Sequence, residues 1–202
     1  MLIEQLPLLF RRIYGSVTWR KDPNEKKIYL TFDDGPIPEV TPWVLDTLDS
    51  FGVKATFFCV GENVKNNPEL YQEILKRGHR TGNHTFNHLR GFITKTDRYL
   101  ANIEKAAEYI DSDLFRPPHG DLWQKQYFAI RKKYKIVQWD LITRDYNKKL
   151  TGEQVFNIVR KHTRNGTIMV FHDSLKAENN MRYAMPKSIE YLLAQGYTFD
   201  VL

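Results

Sequence analysis

A single cysteine, Cys59, stands among 202 residues, so no disulfide can form within the chain. It lies in the apolar run Ala55-Thr-Phe-Phe-Cys-Val60, where a thiol is a buried, inert filler and not a nucleophile. Long apolar stretches are missing as well, and nothing approaches the length of a membrane span. The N-terminal Leu6-Pro-Leu-Leu-Phe10 is short, follows Glu4, and carries Arg11-Arg12 on the wrong side for a signal peptide. An unexported, cytoplasmic protein with no transmembrane segment is therefore expected. Gly-x-Gly-x-x-Gly does not follow the first predicted strand, which removes the main support for a dinucleotide fold. Repeats, low-complexity tracts and linkers are also lacking. The net charge of +6 comes from Lys and Arg spread over the predicted helices, with only short clusters such as Arg131-Lys-Lys133. Surface solvation accounts for such a spread, and nucleic acid is not expected as a partner.

What is present is an alternation of strand and helix. Lys27–Asp33 reads as a buried strand, with Ile28, Leu30 and Phe32 alternating with Tyr29 and Thr31. Further strands are predicted at 54–60, 79–82, 114–116, 135–141, 167–171 and 197–202. Helices are predicted at 40–51, 67–77, 95–111, 123–133, 152–164 and 186–195. Pro68 near a start and Gly78 past an end are the usual helix punctuation. Trp43, Trp123 and Trp139 lie on periodic apolar segments and are expected in the core. Residues 1–26 read as an N-terminal arm packed on one domain spanning 27–202. Seven strands alternating with helices imply an α/β fold with a parallel sheet, either an open doubly wound sheet or a barrel.

The strand ends carry the chemistry. The first strand stops at Asp33-Asp34-Gly35-Pro36, and two acids there need hydrogen bonds, cations or a metal. A solvated Asp-Gly turn explains the pair equally well on its own. Neighbouring strand residues face opposite ways, so the two carboxylates are expected to do different jobs. His84-Thr-Phe-Asn-His88 spaces two imidazoles four apart, which on a helical turn lets them share a metal. The Glu of His-Glu-x-x-His is absent, so any general base comes from elsewhere. One Asp with two His leaves a metal position open for water, as at a catalytic rather than a structural site. Arg116, Asp145, His172 and Asp173 follow other strands, on the face where α/β barrels place their sites. Asp173 reads as a residue that turns the chain, and Asn83 as a support for a ligand histidine. His79 and His162 read as packing or solvent-facing residues.

Five motifs in order resemble those of the polysaccharide deacetylases, the carbohydrate esterases with a NodB-homology domain. They are Thr31-Phe-Asp-Asp-Gly35, His84-Thr-Phe-Asn-His88, Arg116-Pro-Pro-His-Gly120, Asp140 through Asp145-Tyr146, and Ile168-Met-Val-Phe-His172. Each is weak alone; five in sequence are specific. The resemblance implies a deformed (β/α) barrel of about seven parallel strands. It implies a divalent metal, zinc first with cobalt, nickel or iron also suited, held by Asp34, His84 and His88. It implies Asp33 as general base held by Arg116, and His172 as general acid oriented by Asp145. His119 stands where the family usually has Tyr; its backbone N–H would donate to the oxyanion beside Pro118. Tyr146 replaces the usual Trp in a wall of the acetyl pocket. The implied activity is N-deacetylation of amino sugars in an acetylated glycan. An O-acetyl esterase and a non-catalytic glycan-binding domain are the alternatives.

Overall fold

The computed structural model describes residues 15–202. Of the expected N-terminal arm, residues 1–14 lie outside the described residues. Strands β1 (Lys27–Asp33), β2 (Thr56–Cys59), β3 (Arg80–Asn83), β4 (Leu114–Phe115), β5 (Lys135–Ile136), β6 (Leu141–Ile142), β7 (Ile168–His172) and β8 (Thr198–Phe199) are all paired in parallel. Helices α1 (Thr41–Ser50), α2 (Gly61–Asn66), α3 (Pro68–Lys76), α4 (Thr96–Ala107), α5 (Gln124–Ile130), α6 (Gly152–His162) and α7 (Glu178–Ala194) alternate with them.

The sheet runs β5-β4-β3-β2-β1-β7-β6, with β8 beside the start of β1. The expected single strand at 135–141 is therefore two strands, β5 and β6, at opposite edges of the sheet. Only residues 137–140 separate them. The five Cα steps from Ile136 to Leu141 reach at most about 18 Å, so the edges must approach and the sheet must curl into an incomplete barrel. Residues 15–21 lace the remaining seam. Thr18 N–H donates to the Ile136 carbonyl at 2.9 Å and its carbonyl accepts from Gln138 N–H at 2.9 Å. Across the gap, Lys21 N–H donates to the Gly166 carbonyl, and Arg20 bridges Thr167.

The alternation in β1 sorts its side chains. Ile28, Leu30 and Phe32 face the helices and join Val44, Leu45, Leu48, Met181, Met185 and Ile189 in one buried cluster. Tyr29, Thr31 and Asp33 face the barrel interior, where Tyr29, Phe58, Leu114, Val137, Ile168 and Leu202 fill the lower part. Above that plug only polar groups line the interior wall of β1. Register sets the level of the site: Asp33 pairs with Phe58 of β2 and His172 of β7, and Asn83 with Phe115.

Two expectations change. The helix expected at 186–195 is the second half of α7, which runs through Pro186. Its buried face continues on both sides through Met181, Ala184, Met185, Ser188, Ile189 and Leu192, and that burial outweighs the missing Pro186 N–H bond. Trp123 is not in the core, being 54% exposed. Thr18→Pro removes a seam donor, and a loss of about 1–3 kcal/mol is expected, read as a lower urea midpoint at unchanged slope.

Candidate active site

Arg116 is fully buried at the end of β4 and organises the interior. Its Nη1 donates to Asp33 Oδ1 at 2.6 Å and to Thr31 Oγ1 at 2.8 Å. Its Nη2 donates to the Gln138 carbonyl at 3.1 Å, and the guanidinium lies 4.0 Å from the centre of the Phe58 ring. A buried cation is tolerated because a carboxylate, two oxygens and a π-face replace its water. Asp33 thereby has one carboxyl oxygen, Oδ1, engaged.

Asp34 follows in a left-handed conformation, φ 88°. It has left the pleat, so the turn, and not strand alternation, separates its direction from that of Asp33. The turn is held from three sides. Asn63 Nδ2 donates to the Asp34 carbonyl at 2.7 Å, Val60 N–H to the Gly35 carbonyl, and Gly35 N–H to Asp173 Oδ1 at 3.0 Å. Asp173 Oδ2 also accepts from Thr41 Oγ1 at 2.7 Å. A Cβ on Gly35 would sit 1.9 Å from Asp173 Oδ2, so only glycine fits. Burial, aided by the charge on Asp34, pushes the Asp173 carboxyl up to about 8 against the pull of its hydrogen bonds. Asp173 thus anchors the Asp34–Gly35 turn. The tight Asp-Asp-Gly sequence was the one available signal for such a buried anchor.

His84 and His88 do not lie on a helix. They occupy a loop in which Thr85 (φ 65°) and His88 (φ 57°) are left-handed, so fold geometry and not helical spacing brings the rings together. Their centroids are 5.1 Å apart, with His84 Nε2 3.8 Å and His88 Nε2 3.2 Å from Asp34 Oδ1. One ligand atom from each of the three lies within 4.8 Å of the others. His84 Nδ1 donates to the Arg116 carbonyl at 2.8 Å, which leaves the Nε2 lone pair facing Asp34. Burial pushes the His84 pKa down to about 4, so the ring is neutral, as a metal ligand must be. Burial alone would raise the Asp34 pKa, but the His88 hydrogen bond and the field of His172 hold it well below the usual range. Two imidazole nitrogens and a carboxylate on one point fit a divalent metal. Asn83 supports this loop through the backbone, its Oδ1 accepting Thr85 N–H at 2.9 Å, and does not touch an imidazole.

His172 sits beside Asp33 in the β1–β7 register. Asp145, 1% exposed, accepts from His172 N–H at 2.7 Å and bonds His172 Nδ1 at 2.8 Å. Burial would lower the His172 pKa; the charge and hydrogen bond of Asp145, with Asp34 and Asp33 behind, raise it to about 9. Tyr146 packs edge-on to the His172 ring at 4.9 Å. Buried Pro118 leads into His119, left-handed at φ 60°, whose ring meets the His88 ring at 4.9 Å. Burial, then His88 and Arg90, lower the His119 pKa. All ten expected site residues therefore lie on the face at the C-terminal strand ends. Of the remaining histidines, His79 is buried against the Phe57 ring, away from this face.

The family model described as polysaccharide deacetylase matches residues 20–139. The chain is 35% identical over 192 residues to a peptidoglycan-N-acetylglucosamine deacetylase of Bacillus cereus, covering 92% of this chain and 90% of that protein. It is 33% identical over 159 residues to a chitooligosaccharide deacetylase of Azorhizobium caulinodans, covering 74% and 75%. Among solved structures, the Bc1960 peptidoglycan N-acetylglucosamine deacetylase superposes with a TM-score of 0.90 at 30% identity, over 98% of this chain and 95% of that one.

Replacing Arg116 by Met leaves the Asp33 carboxylate buried and unpaired. A loss of about 3–5 kcal/mol is expected, measured as a lower denaturation midpoint.

Proposed function

The chain belongs to the polysaccharide deacetylase family, and on that premise we propose that it hydrolyses N-acetyl groups of N-acetylglucosamine residues in a glycan such as peptidoglycan. The observation that carries this reading is the side-by-side placement of Asp33 and His172 on adjacent strands, next to the Asp34–His84–His88 cluster. The relatives described as peptidoglycan-N-acetylglucosamine deacetylases support the choice of sugar. A domain that only bound glycan would have no use for two proton-transfer groups held by separate buried partners.

Asp34, His84 and His88 would hold the metal, zinc by preference for two imidazoles and one carboxylate. When bound, a divalent cation makes water acidic near neutral pH and polarises the amide carbonyl. Asp33 is the general base: Arg116 occupies one carboxylate oxygen and leaves the other to take a proton from the attacking water. His119 N–H, in the left-handed turn after Pro118, donates to the oxyanion that develops on the acetyl carbonyl. His172 is the general acid. Its Nδ1 is committed to Asp145, so Nε2 delivers the proton to the departing amine as the C–N bond breaks. Tyr146, packed against that ring, walls the acetyl methyl group.

Acetate release from N-acetylglucosamine oligomers is expected, lost on chelation and restored by added metal. Asp33→Asn and Asp34→Asn should both abolish turnover, while only Asp34→Asn loses bound metal in elemental analysis. If both variants keep metal and activity, the assignment is wrong. The imidazolium of His172 is lost as pH rises through its raised pKa, so kcat should fall on the alkaline side. Asp145→Asn removes the main raising influence and should move that limb to lower pH; an unmoved limb rules out His172 as the acid.

A further inference from the structure

The loops that bring His88 and His119 together run on side by side, meeting at every second residue. The first rung is the 4.9 Å ring contact of those two histidines. Two residues farther along each loop, Arg90 Nη2 meets Asp121 Oδ2 at 2.8 Å. Two farther again, the rings of Phe92 and Trp123 lie 5.0 Å apart. This outermost pair is open to solvent, Phe92 at 46% and Trp123 at 54%.

The platform is held in place by its surroundings. Trp123 Nε1 donates to the Phe92 carbonyl at 3.0 Å, so the polar edge of the indole is used internally and its face is what remains. Gln126 Nε2 donates to the carbonyls of Gly91 and Thr94, while its Oε1 accepts Trp123 N–H at 3.0 Å. Gly91 lies so close to the other loop that a Cβ would sit 2.2 Å from the Asp121 carbonyl. Two large rings are thus fixed at the surface instead of collapsing onto the core, as expected for a recognition patch.

Phe92 follows His88, and Trp123 follows His119, by four positions, a Cα-to-Cα reach of at most about 14 Å. The platform is therefore within a few sugar units of the metal-ligand cluster. A pyranose ring offers an apolar C–H face with hydroxyls around its rim, which matches an aromatic face bordered by an ion pair. We propose that Phe92 and Trp123 form a distal sugar-binding subsite, holding a ring of the glycan chain other than the one being deacetylated. This inference rests on the glycan reading above. The occupant is the substrate's own chain, because the two loops that carry the platform also carry His88 and His119.

Wild type, Trp123→Ala, Trp123→Phe and Phe92→Ala are compared on N-acetylglucosamine oligomers of increasing length, by acetate release and by calorimetric binding. For Trp123→Ala, the ratio of kcat/KM on long oligomers to that on the disaccharide should fall about tenfold, through KM, with a matching loss of affinity. Phe92→Ala, whose carbonyl still accepts from the indole, should show the same trend, and Trp123→Phe should restore most of it. An unchanged length dependence in both alanine variants overturns the subsite. So does an equal loss on short and long oligomers, which marks a merely structural role. Wild type that binds long oligomers through Trp123 yet releases no acetate keeps the subsite and overturns the deacetylase reading.

Discussion

A buried guanidinium is the constraint on which the site depends. Arg116 reaches across the barrel interior from β4 to Thr31 and Asp33 on the central strand, and to the backbone carbonyls of the seam. Its own carbonyl orients His84. One side chain and its peptide group therefore fix Asp33, the proposed base, a candidate ligand and the wall opposite. Such a cation must be fully satisfied by the groups around it, because burial removes the water that would otherwise solvate it. That requirement makes the position of Asp33 a property of the fold and not of its own rotamer.

The electrostatics separate neighbouring groups. Asp34 is kept ionised by histidines, whereas Asp173, a short distance away with only neutral donors, is pushed up by burial. His84 is kept neutral by burial, whereas His172 is charged because Asp145 outweighs the same effect. Two carboxyls and two imidazoles are thus pushed in opposite directions, by their partners and not by residue type. Acid–base division of labour follows from this arrangement.

Much of this was legible in the chain. The alternation at 27–33 ends in two acids, and reactive residues recur at later strand ends, so a parallel α/β fold with a site on one face could be read directly. Other features depend on tertiary geometry that local pattern does not carry. The spacing of His84 and His88 suggested a helical turn, yet two left-handed residues make the loop that joins them. The run at 135–141 read as one strand, because nothing local marks residues 137–140 as a crossing between sheet edges. Pro186 read as a helix start because the burial that carries α7 through it comes from other elements. Trp123 read as core because periodicity records apolar spacing and not which face is covered.

The seam has a consequence for how the molecule assembles. β5 and β6 are neighbours in sequence but edges in space, and the segment that laces them starts more than a hundred residues earlier, at Thr18. Closing the barrel therefore completes contacts of very high sequence separation, whose loop-closure entropy is recovered only when both edges are already formed. The centre of the sheet, β2-β1-β7, can build without the seam; the wall at 137–140 cannot. Arg116 donates to that wall from within, so the electrostatic heart of the site depends on the barrel being closed.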